Sequence, residues 1–221
     1  MNRRESVRRH TRRMPRSPTA MRDALIRQWR VLAHATRDLD LDGPTRVEGW
    51  RNREVVAHLA LQPVLLVRFL ETASTEPAQL SAWENMAGTA GLASVVDETA
   101  QRDARTRTAD LGAAVDAAVE PLMTADLSTT VTTIQGSIRL ADYLVTRCVE
   151  AVVHGGDLVP AVTPDGEALA ITAEALTALL ESRHPELVGA VERLDALVWI
   201  EIATGRRDAP ANLATAMPLM A

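Results

Sequence analysis

Between Leu140 and Leu158 the chain reads as one helix whose apolar residues Leu144, Cys148, Ala151 and Val152 lie toward one side, while Tyr143, Arg147, Glu150 and His154 form a stripe along another. The helix otherwise looks buried, and burying Glu and His without partners is costly. A fold that accepts this helix must therefore bring partners to the stripe, and a cation is one arrangement that offsets the cost. Glu150 and His154 stand at i and i+4, about 40° apart on a helix of 3.6 residues per turn, so both can reach one ion. A His from another helix would close a three-ligand set, and His58, in Val55-Val56-Ala57-His58-Leu59-Ala60, is a candidate. Taken alone, the Glu150 to His154 spacing is also that of an ordinary pair on a solvated helix face.

The rest of the chain supplies helices to face this one. Leu25, Trp29, Leu32 and Leu39 predict an amphipathic helix from Met21, ending at Asp42-Gly43-Pro44. Asn52 reads as the N-cap of a second helix that turns Val55, Leu59, Leu66 and Leu70 toward the core. Pro63 removes the amide that would have bonded the carbonyl of Leu59, which predicts a kink directly after His58. Residues 72–93, mixing Ser, Thr, Pro, Gly and Ala around Trp83, read as a long loop. A third helix is expected from about Ala93 to Met123, followed by an extended connection over Thr129 to Ile138. Shorter helices are expected over Ile171 to Ser182, stopped by His184-Pro185, and over Asp195 to Thr204, ending at Gly205. The predicted fold class is all-α, an antiparallel four-helix bundle with short additional C-terminal helices.

Composition narrows the function classes. A chain of 221 residues with 47% hydrophobic content can bury one main core. It has neither an apolar run of membrane-spanning length nor a secretory signal pattern, so a cytoplasmic protein with no membrane partner is expected. Cys148 is the single cysteine, which excludes an internal disulfide and a thiolate zinc cluster and leaves His and carboxylate as metal ligands. The first 16 residues carry seven Arg and one Glu, so a net charge of −5 for the whole chain leaves about −11 on the remainder. No nucleic acid is expected as a partner of the acidic body, although the Arg-rich arm can touch an anionic polymer. Residues 1–20 are expected to form a disordered leader.

Trp50, His58 within Val-Val-Ala-His-Leu, then Asp142-Tyr143-Leu144 with Arg147, Glu150, His154 and Asp157-Leu158, resemble in order and spacing the mycothiol-dependent maleylpyruvate isomerase family of the DinB-like superfamily. The resemblance covers about residues 21–160, leaving 161–221 as a short helical C-terminal extension. It implies a DinB-like four-helix bundle that binds a divalent metal, usually zinc, through His58, Glu150 and His154. It also implies mycothiol as the thiol cofactor. Maleylpyruvate isomerisation itself is not implied, because no complete C-terminal domain of the isomerase type fits after the metal motif.

Three protein ligands leave an open tetrahedral position, the arrangement of a catalytic rather than a structural zinc. A thiol entering it is deprotonated and can attack an electrophilic small molecule, giving addition with bond rotation (isomerase) or displacement (S-transferase). Arg147 either holds the carboxylate of a substrate or cofactor or pairs with Glu150 or Asp142. Asp157 is a candidate acceptor that orients a ligand imidazole, or else a solvated helix end. Cys148 faces away from Glu150 and is expected in the core. Trp50 is expected to pack at the start of the second helix or else to line the pocket, and His10, His34 and His184 to lie on the surface. The rival readings are a non-catalytic bundle holding a structural ion or none, and a DNA-associated regulator acting through the Arg-rich arm.

Overall fold

The computed structural model describes residues 16–90, 92–106 and 110–220. Most of the Arg-rich leader, with His10, lies outside the described residues. Helix α1 (Pro18–Ala35) starts at a Ser17 cap, whose hydroxyl accepts from the Ala20 amide, with Pro18 at its first position. It ends seven residues before Asp42-Gly43-Pro44, earlier than its apolar spacing predicts. Local bonds take over the chain there: the Thr36 hydroxyl returns to the Leu32 carbonyl, and the Asp40 carboxylate accepts from the Asp42 amide. Leu39 reaches the core from this turn rather than from a helix.

Helix α2 (Asn52–Leu70) runs through Pro63 as one element. Arg51, not Asn52, is its N-cap residue, and the Glu54 carboxylate reaches back to the Arg51 amide at 2.8 Å. Asn52 is fully buried and ties α2 to two loops instead: its amide donates to the Asp40 carbonyl at 2.9 Å and the Val159 carbonyl at 3.0 Å, and its oxygen accepts from the Val159 amide. The segment read as a loop contains helix α3 (Ala82–Ala90). Ser81 and Glu84 start it reciprocally, Glu84 accepting from the Ser81 amide and Ser81 from the Glu84 amide.

The third helix predicted over Ala93 to Met123 is two helices, α4 (Ala93–Thr106) and α5 (Leu111–Thr124). Asp110 begins the second by accepting from the Ala113 amide, so an internal cap divides a stretch whose apolar period looked continuous. The extended connection is an antiparallel hairpin, β1 (Thr130–Thr133) with β2 (Gly136–Arg139), whose Val131 and Ile138 pair and are fully buried. It feeds directly into helix α6 (Leu140–Asp157).

Around the central core α1 packs on α6, α6 on α2, α2 on α5 and α5 on α1, which is the expected four-helix bundle, with α4 laid on α2. Leu25, Trp29, Leu32, Leu59, Leu66, Leu122, Leu140 and Leu144 fill it. The approach of α1 to α6 is close at Gly155, where a Cβ would lie 2.8 Å from a methyl of the buried Leu32. Helix α7 (Gly166–Arg183) then packs on α6 and α1, and α9 (Ala196–Ala203) packs on α7 after the single turn of α8 (Val188–Val191). Asp165 caps α7 and pairs with Arg27, while Arg16 joins Glu167 and Glu174. Among the described residues no helix is long and apolar enough to cross a membrane.

Candidate metal centre

His58 lies on the second turn of α2, and Glu150 and His154 lie one turn apart on α6, so the contact of these two helices brings all three together. One Glu150 oxygen, Oε2, lies 3.1 Å from His58 Nε2 and 3.4 Å from His154 Nε2. The two imidazoles meet edge to face with centroids 4.7 Å apart. The three ligand atoms all fall within 4.8 Å of one another, so one cation can be reached from all of them.

Electrostatics fit a cation at this point. Burial raises the Glu150 carboxyl, but bonds from His154 and His58 and the charge of Arg147 outweigh it and hold the group well below the usual carboxylate range. Burial pushes the His58 imidazole down, toward the neutral form that a metal ligand needs. Burial also works against a charged His154, yet bonds to Asp157 and Glu150 raise it to about 9, so an ion bound at Nε2 would take the place of a proton. The cluster thus concentrates carboxylate charge around two imidazoles and favours positive charge between them.

The surroundings of these candidate ligands bear on the alternatives left open by sequence. His154 Nδ1 meets the fully buried Asp157 at 2.9 Å, which leaves Nε2 facing the centre, and Asp157 is not a solvated helix end. Burial raises the Asp157 carboxyl, but His154 and Arg206 together bring it to about 2. Arg147 forms no ion pair with Glu150 or Asp142. It bonds the Gln62 carbonyl oxygen and the Thr146 hydroxyl, and its guanidinium covers the Tyr143 ring at 4.8 Å. Gln62 in turn places its amide 3.4 Å from His58 Nε2. Trp50 does more than pack: its indole donates to Asp97 at 2.6 Å, and its ring lies 5.9 Å from that of His58.

Sequence reasoning missed Gln62 and Arg206. Gln62 follows His58 by four residues on the same helix face, so a polar residue in an apolar run was the signal; Arg206, in Ala203-Thr204-Gly205-Arg206, gave no local sign of its partner Asp157.

A cavity of about 350 Å³ opens beside the centre, reaching His58 and Glu150, with Arg147 and Gln62 in its wall and Leu61, Leu65, Phe69 and Val96 on its apolar sides. A larger groove of about 520 Å³ between His34 and Pro160 contains none of these residues, and His34 is exposed there as expected. Cys148 is fully buried among core residues, and burial pushes its thiol up to about 12. The native protein is expected to leave a thiol reagent such as Ellman's unconsumed at pH 8 and to release one equivalent only on denaturation. Rapid reaction of the native protein would show that Cys148 is accessible.

Facing helices that deliver two imidazoles and a carboxylate beside a cavity define a DinB-like bundle with a candidate metal centre. The chain belongs to the family described as the mycothiol maleylpyruvate isomerase N-terminal domain, which matches residues 4–159. Comparison with curated proteins and with solved structures found no match. The family match stops before α7, so the C-terminal helices lie beyond it.

Proposed function

We propose that this protein is a metal-dependent enzyme that uses mycothiol to attack an electrophilic small molecule, as an S-transferase or an isomerase. The observation that carries this reading is the convergence of His58, Glu150 and His154 on one point at the edge of a cavity, in a chain of a mycothiol family. In this reading residues 21–160 form the metal-binding bundle and residues 161–221 a helical extension. His58, Glu150 and His154 hold the ion, with zinc suited to two imidazoles, one carboxylate and an open position. Bound there, the ion supplies the positive charge that keeps a thiol as its thiolate at neutral pH.

The remaining work falls to the protein's own side chains. Asp157 holds the Nδ1 proton of His154 and so keeps Nε2 as the donor atom. Gln62 holds Arg147 at the cavity wall, where the guanidinium can grip an anionic group of the thiol cofactor or of the electrophile and fix its orientation. Leu61, Leu65 and Phe69 give that side an apolar wall, which would strengthen both interactions once a bound molecule displaces water from it. Cys148 takes no part, since it is enclosed in the core, and the attacking sulfur must come from outside.

Metal analysis combined with calorimetric thiol titration tests the proposal. One zinc per chain and a mycothiol response that disappears with the zinc are expected. Bound zinc with no response to the thiol would leave a structural ion in a non-catalytic bundle.

A further inference from the structure

The turn after α9 belongs to no part of the matched family domain, yet it reaches the candidate centre. A small cavity of about 70 Å³ against Glu150 and His154 is closed by Thr204, Arg206 and Met220. We propose that Arg206 is a positioning residue of the metal centre, gripping Asp157 so that Asp157 holds His154 in the ligand orientation. This rests on the reading of His58, Glu150 and His154 as metal ligands.

The geometry is that of a fork on a carboxylate. Arg206 donates from Nε to Asp157 Oδ1 at 3.1 Å and from Nη2 to Asp157 Oδ2 at 2.8 Å, and the same Oδ2 meets His154 Nδ1 at 2.9 Å. Asp157 has no exposed surface, so its direction is set by these contacts rather than by water. Take Arg206 away and one oxygen loses its donor while the other keeps only His154. The carboxylate is then free to rotate and to release the imidazole from the orientation that aims Nε2 at Glu150.

Arg206 is itself fixed. Gly205, with φ +74, turns the chain at the end of α9, a conformation that a side chain strains. The remaining guanidinium nitrogen donates to the Thr204 carbonyl at 2.7 Å, and the Arg206 amide donates to the Glu201 carbonyl at 2.7 Å. Arg46, from the loop between α1 and α2, donates to the Arg206 carbonyl at 2.8 Å and pairs with Glu201 at 2.7 Å. The Arg46 amide also meets the Asp157 carbonyl at 2.9 Å. The C-terminal turn, the first loop and the end of α6 thus form one bonded unit behind His154, and the extension completes the site.

The full chain is loaded with Zn2+ or Co2+ alone, and affinity is read by competition with a chromophoric chelator. Arg206→Ala is expected to weaken binding by roughly 10-fold and at most about 100-fold, the range for losing the direct partner of a ligating His, since Arg206 acts on His154 through Asp157. It should keep one ion per chain at saturation and alter the Co2+ visible spectrum. Arg206→Lys should recover only part, because an ammonium cannot make both bonds of the fork. Asp157→Asn should resemble Arg206→Ala, and the double variant should be no worse than either, since both act on His154 through one link. Arg207→Ala, which removes only the neighbouring exposed pair with Glu201, should bind as the wild type does. Wild-type affinity and an unchanged Co2+ spectrum in Arg206→Ala would overturn the proposal while leaving the ligand set standing. A wild-type protein that binds neither ion would overturn the ligand set and this inference with it. If Arg206→Ala does not fold, Arg206→Lys and Asp157→Asn decide by the same readouts.

Discussion

His58→Ala and Glu150→Gln are each expected to abolish stoichiometric divalent metal binding, lowering affinity by more than the roughly 10- to 100-fold typical of outer partners. The two substitutions act from different helices. Among the described residues His58 is the one proposed ligand on α2, so its loss would leave both remaining candidates on α6, whereas Gln at 150 keeps the shape of the side chain but removes the charge that attracts a cation. Because the three proposed ligands come from two helices, an ion held there would also cross-link the bundle. Linkage then predicts stabilisation of about 4 kcal/mol when free metal is a thousandfold above Kd, and neither variant should show the matching rise in melting temperature. Metal content after desalting and thermal melts with and without zinc check both statements. His34→Ala, in an exposed groove away from the centre, serves as the control and should behave as the wild type. Retention of one tightly bound ion per chain by Glu150→Gln would rule out this ligand set.

What was legible in the chain follows from the range of the interactions. The stripe on α6 could be read because Tyr143, Arg147, Glu150 and His154 belong to one helix, where period alone sets direction. The bundle followed from four apolar periods, and extended backbone from the alternation between Thr129 and Ile138, but the turn that folds this stretch back on itself as a hairpin was not read. Two boundaries were missed although their signals were local. Ser81-Ala82-Trp83-Glu84 has the form of a capping box inside a segment that otherwise looks like loop, and Asp110 is an N-cap inside a segment that otherwise looks like one long helix. In both, one short polar side chain outweighed the composition around it. Asn52 went the other way: its residue type suits a cap, but tertiary bonds to Asp40 and Val159 placed it one residue further in. Arg206 is a different kind of omission, since 49 residues separate it from Asp157 and tertiary contacts, the docking of α9 on α7 and the bonds of Arg46 to both, bring them together.

Arg147→Met is expected to leave the fold about as stable as the wild type, or more so, while reducing thiol-dependent turnover on the order of 100-fold. The reduction corresponds to the loss of about 1.5–3 kcal/mol of hydrogen bonding between a charged donor and a bound anion. The stability half follows from the surroundings of the guanidinium. Arg147 is 8% exposed, and among the described residues the Gln62 oxygen, the Thr146 hydroxyl and the Tyr143 ring that it meets are all neutral. A charge taken out of water with no carboxylate in hydrogen-bonding contact, and only a longer-range attraction to Glu150, is a poor way to stabilise a core, and an unbranched thioether of similar length fills the same space without that cost. Gln62→Leu should be worse than either wild type or Arg147→Met, by about 1–3 kcal/mol, because it leaves a buried donor of Arg147 without its acceptor. Joined with Arg147→Met, it should recover most of that loss. Urea unfolding of the four proteins and consumption of an electrophile with and without mycothiol separate the contributions. Strong destabilisation by Arg147→Met with turnover preserved would make Arg147 a structural residue. The opposite pattern would mean that the bundle carries a buried cation it does not need for folding, at the wall of the cavity beside Glu150, because an anionic group is gripped there during the reaction.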